Sequence, residues 1–190
     1  MDGSNVGVAR VDGQIVALGR AGYLAQTSPF EQHQLFAEYV RHKEQRFDFL
    51  EEGQRLVGEW LAQAHGTRYE LRHEPFVPFD LMVGNDRMPY SEVKSVVKAR
   101  GWIMPYTVHV GDPISVKDAL DFLGEYGKHG ALDPVEGVVY RVERDKRTNP
   151  NSKERVRVVD YLVKWVRPDK VDGKYLESIS GEPAVWNWRP

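Results

Sequence analysis

The chain has 190 residues, of which 41% are hydrophobic and 28% charged, too apolar for a disordered tail and too evenly charged for a membrane protein. A formal charge of −2 sets up no global field for polyanions, and the longest apolar runs, such as Ile15–Leu18 and Val135–Tyr140, fall far short of the ~20 residues of a membrane span. With zero cysteines there is no disulfide framework, thiolate zinc site or thiol nucleophile; one domain over residues 1–190 and a cytoplasmic setting are expected, because the N-terminus lacks signal-peptide regions.

Asn5–Leu18 places an Asp12-Gly13 turn between two apolar segments and predicts a β-hairpin. Ser28-Pro29-Phe30-Glu31 has the residues of a capped helix start, and the stripe Leu35, Phe36, Tyr39, Val40, Phe47, Leu50 carries that helix to Gly53. Strands are predicted at Arg55–Gln63, Thr67–Leu71 and Phe76–Val83, and helices from Ser91 to about Arg100 and from Ser115 to Tyr126, the latter with Asp118 at the capping-box distance. Val135–Glu143 and Val156–Val166 predict two further strands, joined by a polar loop containing Thr148-Asn149-Pro150-Asn151. The expected class is α+β, with mainly antiparallel sheets and flanking helices.

Neither GxxxxGK[ST] nor GxGxxG occurs, so a bound nucleotide needs another cradle. No HExxH accompanies the six histidines, and Ser4 and Ser91 lack a GxSxG context. Singly, the polar candidates have bland readings: Asp2-Gly3-Ser4-Asn5 as a turn, Glu59 as an edge-strand charge, Phe79 as a core aromatic and Lys164 as a snorkelling lysine.

Their order gives them meaning. Asp2-Gly3, Arg20-Ala21-Gly22, Gly58-Glu59, Phe79-Asp80, Glu136-Gly137 and Lys164-Trp165 resemble the collinear motifs of covalent nucleotidyltransferases, the superfamily of DNA ligases, RNA ligases and messenger-RNA capping enzymes. Asp2-Gly3-Ser4-Asn5, Glu136–Arg141 and Tyr161–Arg167 leading into Asp172–Leu176 are most similar to ATP-dependent RNA ligases, and the short tail after Lys164 is expected to carry no OB domain. The resemblance implies a ligase adenylation domain with an ATP-grasp-like nucleotidyltransferase fold, ATP (as AMP) and Mg²⁺ or Mn²⁺ as cofactors, and RNA 5′-phosphate and 3′-hydroxyl ends, including those of a nicked duplex, as partners.

Ligases of this kind form lysyl-AMP, pass AMP to an RNA 5′-phosphate and seal with a 3′-hydroxyl, so each step crowds anionic oxygens together. The resemblance assigns catalysis to Lys164 and Glu136, with Glu136 as metal ligand. It assigns nucleotide binding to Asp2, Gly3, Arg20, Glu59, Phe79 and Lys164: Phe79 stacks on adenine, Arg20 and Glu59 hold the ribose hydroxyls, and Lys164 meets the α-phosphate. RNA contacts are expected from Arg141, Arg144, Lys146 and Arg147, within a stretch that reads equally as a solvated hairpin tip.

Two departures stand out. The family's nucleophile stands two residues before the aspartate, in Lys-x-Asp-Gly; here Met1 is the x, and the lysine would directly precede it. Many relatives have Lys-x-Lys at the last motif where this chain has Lys164-Trp165-Val166; Lys170 and Lys174 are the nearby cations that could reach in. The expectation is an RNA ligase core inactive in this N-terminally truncated form, with a non-catalytic nucleotide- or RNA-end-binding remnant as the alternative.

Overall fold

The structure, a computed structural model, describes residues 1–147 and 153–190; the polar loop expected at Thr148–Asn151 lies outside the described residues. The chain opens in a hairpin of β1 (Ser4–Val11) and β2 (Gln14–Gly19), closed by Asp12 at φ 51° and Gly13 at φ 76°. Those paired positive angles are the geometry that matches strand twist in a two-residue turn. β3 (Gln54–Trp60), β4 (Phe76–Val83) and the short β5 (Asp86–Arg87) complete an antiparallel sheet in the order β2-β1-β3-β4-β5. β6 (Gly137–Arg147) and β7 (Arg155–Val166) form a separate antiparallel ribbon.

One face of the five-stranded sheet carries the core. Val6, Val8, Leu56, Trp60, Phe76 and Leu81 meet Phe36, Tyr39 and Val40 of α1 (Glu31–His42) and Val93 and Val97 of α2 (Tyr90–Ala99). Aromatic rings fill the centre, with Phe36 and Tyr39 each 5.2 Å from Trp60 and Phe47 4.9 Å from Trp102. The period-2 alternation therefore leaves Asn5, Gly7, Val57, Glu59, Val77 and Asp80 on the opposite face.

Several elements differ from their sequence expectation. α1 stops at His42, and a 3-10 turn at Glu44–Phe47 follows; Phe47 and Leu50 still reach the core, because apolar spacing reports burial rather than an unbroken helix. The Ser28 hydroxyl bonds His33 Nδ1 at 2.7 Å instead of closing a capping box with Glu31. α2 starts after Pro89, not at a Ser91 cap. At α3 (Val116–Leu123) Ser115 caps the helix as expected, its Oγ accepting from the Asp118 N–H at 3.1 Å, while the Asp118 carboxylate accepts from the Ser115 hydroxyl at 2.7 Å rather than from its backbone N–H; the helix ends at Gly124, before Tyr126. A single turn, α4 (Glu177–Ser180), was not expected. None of the described helices is long and apolar enough to cross a membrane.

The predicted strand Thr67–Leu71 is absent as such; Tyr69 alone makes an isolated bridge, to Ala131. β3 ends at Trp60 because the backbone beyond it serves other partners. Leu61 N–H donates to Pro75 O at 2.9 Å, Ala64 N–H to Val185 O at 2.9 Å, and Ala62 O accepts from Asn187 and Trp188. The C-terminal segment is thereby bound along residues 61–69. Asn187 is its pin, accepting from Tyr69 N–H and donating to Leu61 O, each at 2.8 Å. Replacing it by Ala strands both backbone groups, so Asn187→Ala is expected to cost about 1–3 kcal/mol in denaturant unfolding. A loss within error of zero would show that the C-terminal segment is not held as described.

Candidate functional site

The site grows from residues that the sheet brings to its second face, away from the main core. Asn5 on β1 pairs with Glu59 on β3 in register. Arg20 directly follows Gly19, the partner of Val6, and so lies level with that pair at the strand end; its side chain is exposed. Glu59 Oε1 accepts the Gly3 N–H at 2.9 Å. A Cβ on Gly3 would stand 2.4 Å from Trp60 O, so only glycine lets the N-terminus lie this close to β3.

Asp2 is buried and held at both ends. Its N–H donates to the Tyr69 hydroxyl at 2.8 Å, and its Oδ2 accepts from the Gly66 N–H at 2.9 Å. Gly66 is a second position where bulk is barred, since a Cβ there would meet Asp2 Oδ2 at 2.3 Å and Lys170 Cε at 3.4 Å. Tyr69 lies within the predicted strand Thr67–Leu71 and Gly66 just before it; nothing in their local pattern marked them as supports for Asp2.

Glu136 stands just before β6, with its carbonyl accepting from Arg167 N–H at 3.0 Å. Its buried carboxylate takes two ammonium groups on one oxygen: Lys164 Nζ at 2.5 Å and Lys170 Nζ at 2.7 Å. Lys170 also lies 3.4 Å from Asp2 Oδ2 and 2.8 Å from Asp172 Oδ1. Asp2, Glu136 and Lys164 thus converge through Lys170, while Lys174 turns away to Asp133, which also binds Arg68 and the Tyr175 hydroxyl.

The cluster sets the charges. Burial raises the Glu136 carboxyl, but hydrogen bonds from Lys164 and Lys170 outweigh it and hold the group below its ordinary value. Lys170 is pushed the other way: burial disfavours its charge, yet Asp172, Glu136 and Asp2 hold it firmly protonated. Glu59 has no such cation at hand. Burial pushes its pKa up to about 7, the Gly3 N–H and the N-terminal charge pull it down, and Asp2 and Glu136 push it up further.

Phe79 occupies the bulge in β4: Gly58 pairs with Pro78 and Val57 with Asp80, so Phe79 is the unpaired extra residue. A bulge re-aims a side chain out of the regular alternation, and Phe79 is half-buried without belonging to either core cluster. The next residue, Asp80, is clamped by Arg141 Nη1 at 2.5 Å and Arg87 Nε at 2.9 Å.

This clamp changes the picture of the basic stretch. Arg141 also donates to Glu143 Oε1 and Met88 O, at 2.7 and 2.6 Å, and fastens the ribbon to the sheet rather than facing solvent. Arg144 and Lys146 are exposed but share Asp160, at 2.9 and 3.2 Å, an anion that a count along residues 141–157 misses because it enters from the facing strand. Arg147 is exposed and interacts elsewhere.

Register pairs Val139 with Lys164 and Arg141 with Leu162 on one face of the ribbon. From that face Arg141 reaches Asp80 on the sheet and Lys164 reaches Glu136 at the ribbon's own start, so the Arg141–Asp80 pair ties this face of the ribbon to the sheet. Among the described residues no group of three or more His, Cys, Asp or Glu side chains gathers as a metal cage. Glu136 is the type of ligand that a hard divalent cation takes, a carboxylate oxygen, but Lys164 and Lys170 already share its Oε1, so a cation bound there would displace at least one ammonium group.

A family model described as RNA ligase matches residues 1–166. No curated protein and no solved structure matches the chain.

Glu59 yields a pH prediction. Its folded-state pKa of about 7 exceeds its ordinary 4.5, so the folded protein holds the proton more tightly and loses stability as pH rises through that interval. In unfolding measured across it, Glu59→Gln is expected to lose less stability than the parent, the gap levelling off above about pH 7. Parallel pH profiles would mean that Glu59 ionises as an ordinary carboxylate.

Proposed function

The chain belongs to the RNA ligase family, and from that premise we propose that it is the ATP-dependent adenylyltransferase core of a ligase that joins RNA 5′-phosphate and 3′-hydroxyl ends through lysyl-AMP and RNA-adenylate. The observation that carries the reading is the meeting of Asp2, Glu136 and Lys164, far apart in sequence, in one ion-pair cluster beside Glu59. A phosphate-handling site needs such fixed cations next to a metal-binding carboxylate.

In this reading the fold is that of the nucleotidyltransferases. Adenine stacks on Phe79, which the bulge turns out of the regular strand pattern, with about 1–3 kcal/mol available from such stacking. The ribose lies along the row of Arg20 and Glu59, with the Asp2-Gly3 backbone bonded beside Glu59. Lys164, 54% exposed, swings from Glu136 to the α-phosphate. Mg²⁺ or Mn²⁺ held by Glu136 neutralises phosphate charge when bound. RNA ends contact Arg144, Lys146 and Arg147; the exposed heads of Arg144 and Lys146 can exchange Asp160 for phosphate, whereas Arg141 works as a clamp.

Residues 1–190 include no lysine two positions before Asp2. Incubated with labelled ATP and Mg²⁺, the 190-residue form is therefore expected to gain no covalent AMP, and a form with one lysine added directly before Met1 is expected to label in a Glu136-dependent manner. Robust labelling of the 190-residue form would overturn the account of the nucleophile. If the lysine-extended form binds ATP yet stays unlabelled, the non-catalytic nucleotide-binding alternative replaces the ligase reading.

A further inference from the structure

The family match ends at Val166, yet the most enclosed cation of the cluster comes from beyond it. We propose that Lys170 is a phosphate-binding residue of the nucleotide site, acting beside Lys164 where the strand itself presents Val166. This rests on the nucleotide-site reading above.

The backbone path shows why residue 170, and not 166 or 174, supplies the second charge. Val166 pairs with Gly137 and lies two residues from Lys164, hence on the same ribbon face, but it carries no charge. Arg167 extends the ladder by one bond, to Glu136 O, and a turn closed by Lys170 N–H on Arg167 O at 3.3 Å folds the chain back. That turn sets the Lys170 amine on the same Glu136 oxygen that Lys164 touches. Lys174 is committed to Asp133.

Enclosure and access are both visible. The Lys170 side chain is only 8% exposed, and its stem lies against the bare backbone of Gly66. An ammonium is rarely enclosed so far without paired anions, and Glu136 and Asp2 supply them. A third partner differs in kind: Asp172 is 92% exposed, so an exposed pair of this sort contributes little to folding. It shows instead that the amine can be met from the solvent side by an anionic oxygen. A nucleotide phosphate arriving there finds the same donor, with Lys164 beside it, and the carboxylate of Asp172 occupies the place that phosphate would take. Tyr175 N–H on His65 O at 2.8 Å, and Lys174 and Tyr175 on Asp133, fix the segment that presents it.

The test compares ATP with adenosine, which shares the base and ribose but has no phosphate, by equilibrium binding to the 190-residue chain. Lys170→Met is expected to weaken ATP binding about tenfold or more and leave adenosine binding unchanged, with recovery in the double variant V166K/K170M, which returns the charge from the strand. Equal weakening of both ligands would reduce Lys170 to a counter-ion for Asp2 and Glu136 and overturn the proposal, as would unchanged ATP binding. Asp172→Asn leaves the enclosed pairs intact and is expected to tighten ATP binding without altering adenosine; unchanged or weaker ATP binding there also overturns it. If the parent chain binds neither ligand, the nucleotide-site reading itself fails and takes this inference with it.

Discussion

Two carboxylates, Asp2 and Glu136, are enclosed within reach of one lysine, and most of the arrangement around them follows from that constraint. Enclosed like charges are tolerable only where cations and hydrogen-bond donors compensate them, and removing one partner of a buried pair typically costs about 3–5 kcal/mol. Lys170 joins the two, Lys164 adds a more mobile charge on Glu136, and the Gly66 and Tyr69 supports keep Asp2 in place. The result is a pair of enclosed carboxylates bridged by one enclosed ammonium group, Lys170, with a second, half-exposed one, Lys164, on Glu136.

Glu59 shows the same balance tipped the other way. It sits near the same carboxylates but draws a backbone N–H rather than a lysine, and burial then pushes it toward the neutral form. Two neighbouring glutamates therefore differ in charge through their surroundings: the lysines keep Glu136 an anion, and burial pushes Glu59 toward its protonated form.

The sheet and ribbon owe their relation to another buried acid. Asp80, beside the β4 bulge, binds Arg141 from β6 and Arg87 from β5, and Glu143 extends the clamp to the Tyr90 N–H at 2.7 Å. That network ties the ribbon to β4 and to the start of α2. It also explains why an arginine in a basic stretch is structural: its fork matches carboxylates already fixed by the fold.

By itself the sequence determined the local and the ordered. Asp12-Gly13 required its turn, Ser115 its helix cap, and the apolar alternation of β1, β3 and β4 one buried face; the succession Asp2-Gly3, Glu59, Glu136, Lys164 carried the family likeness because chain order survives without coordinates. What depends on distance in space was decided only by the tertiary structure. Thr67–Leu71 has strand-like residues but no continuous partner strand, Asp160 cancels charges that lie on another strand, and Lys170 and Lys174 are indistinguishable as sequence. A turn after Val166 sends one of those lysines to Glu136 and the other to Asp133, since an ion pair is settled by where the backbone places two side chains and not by which residues are available.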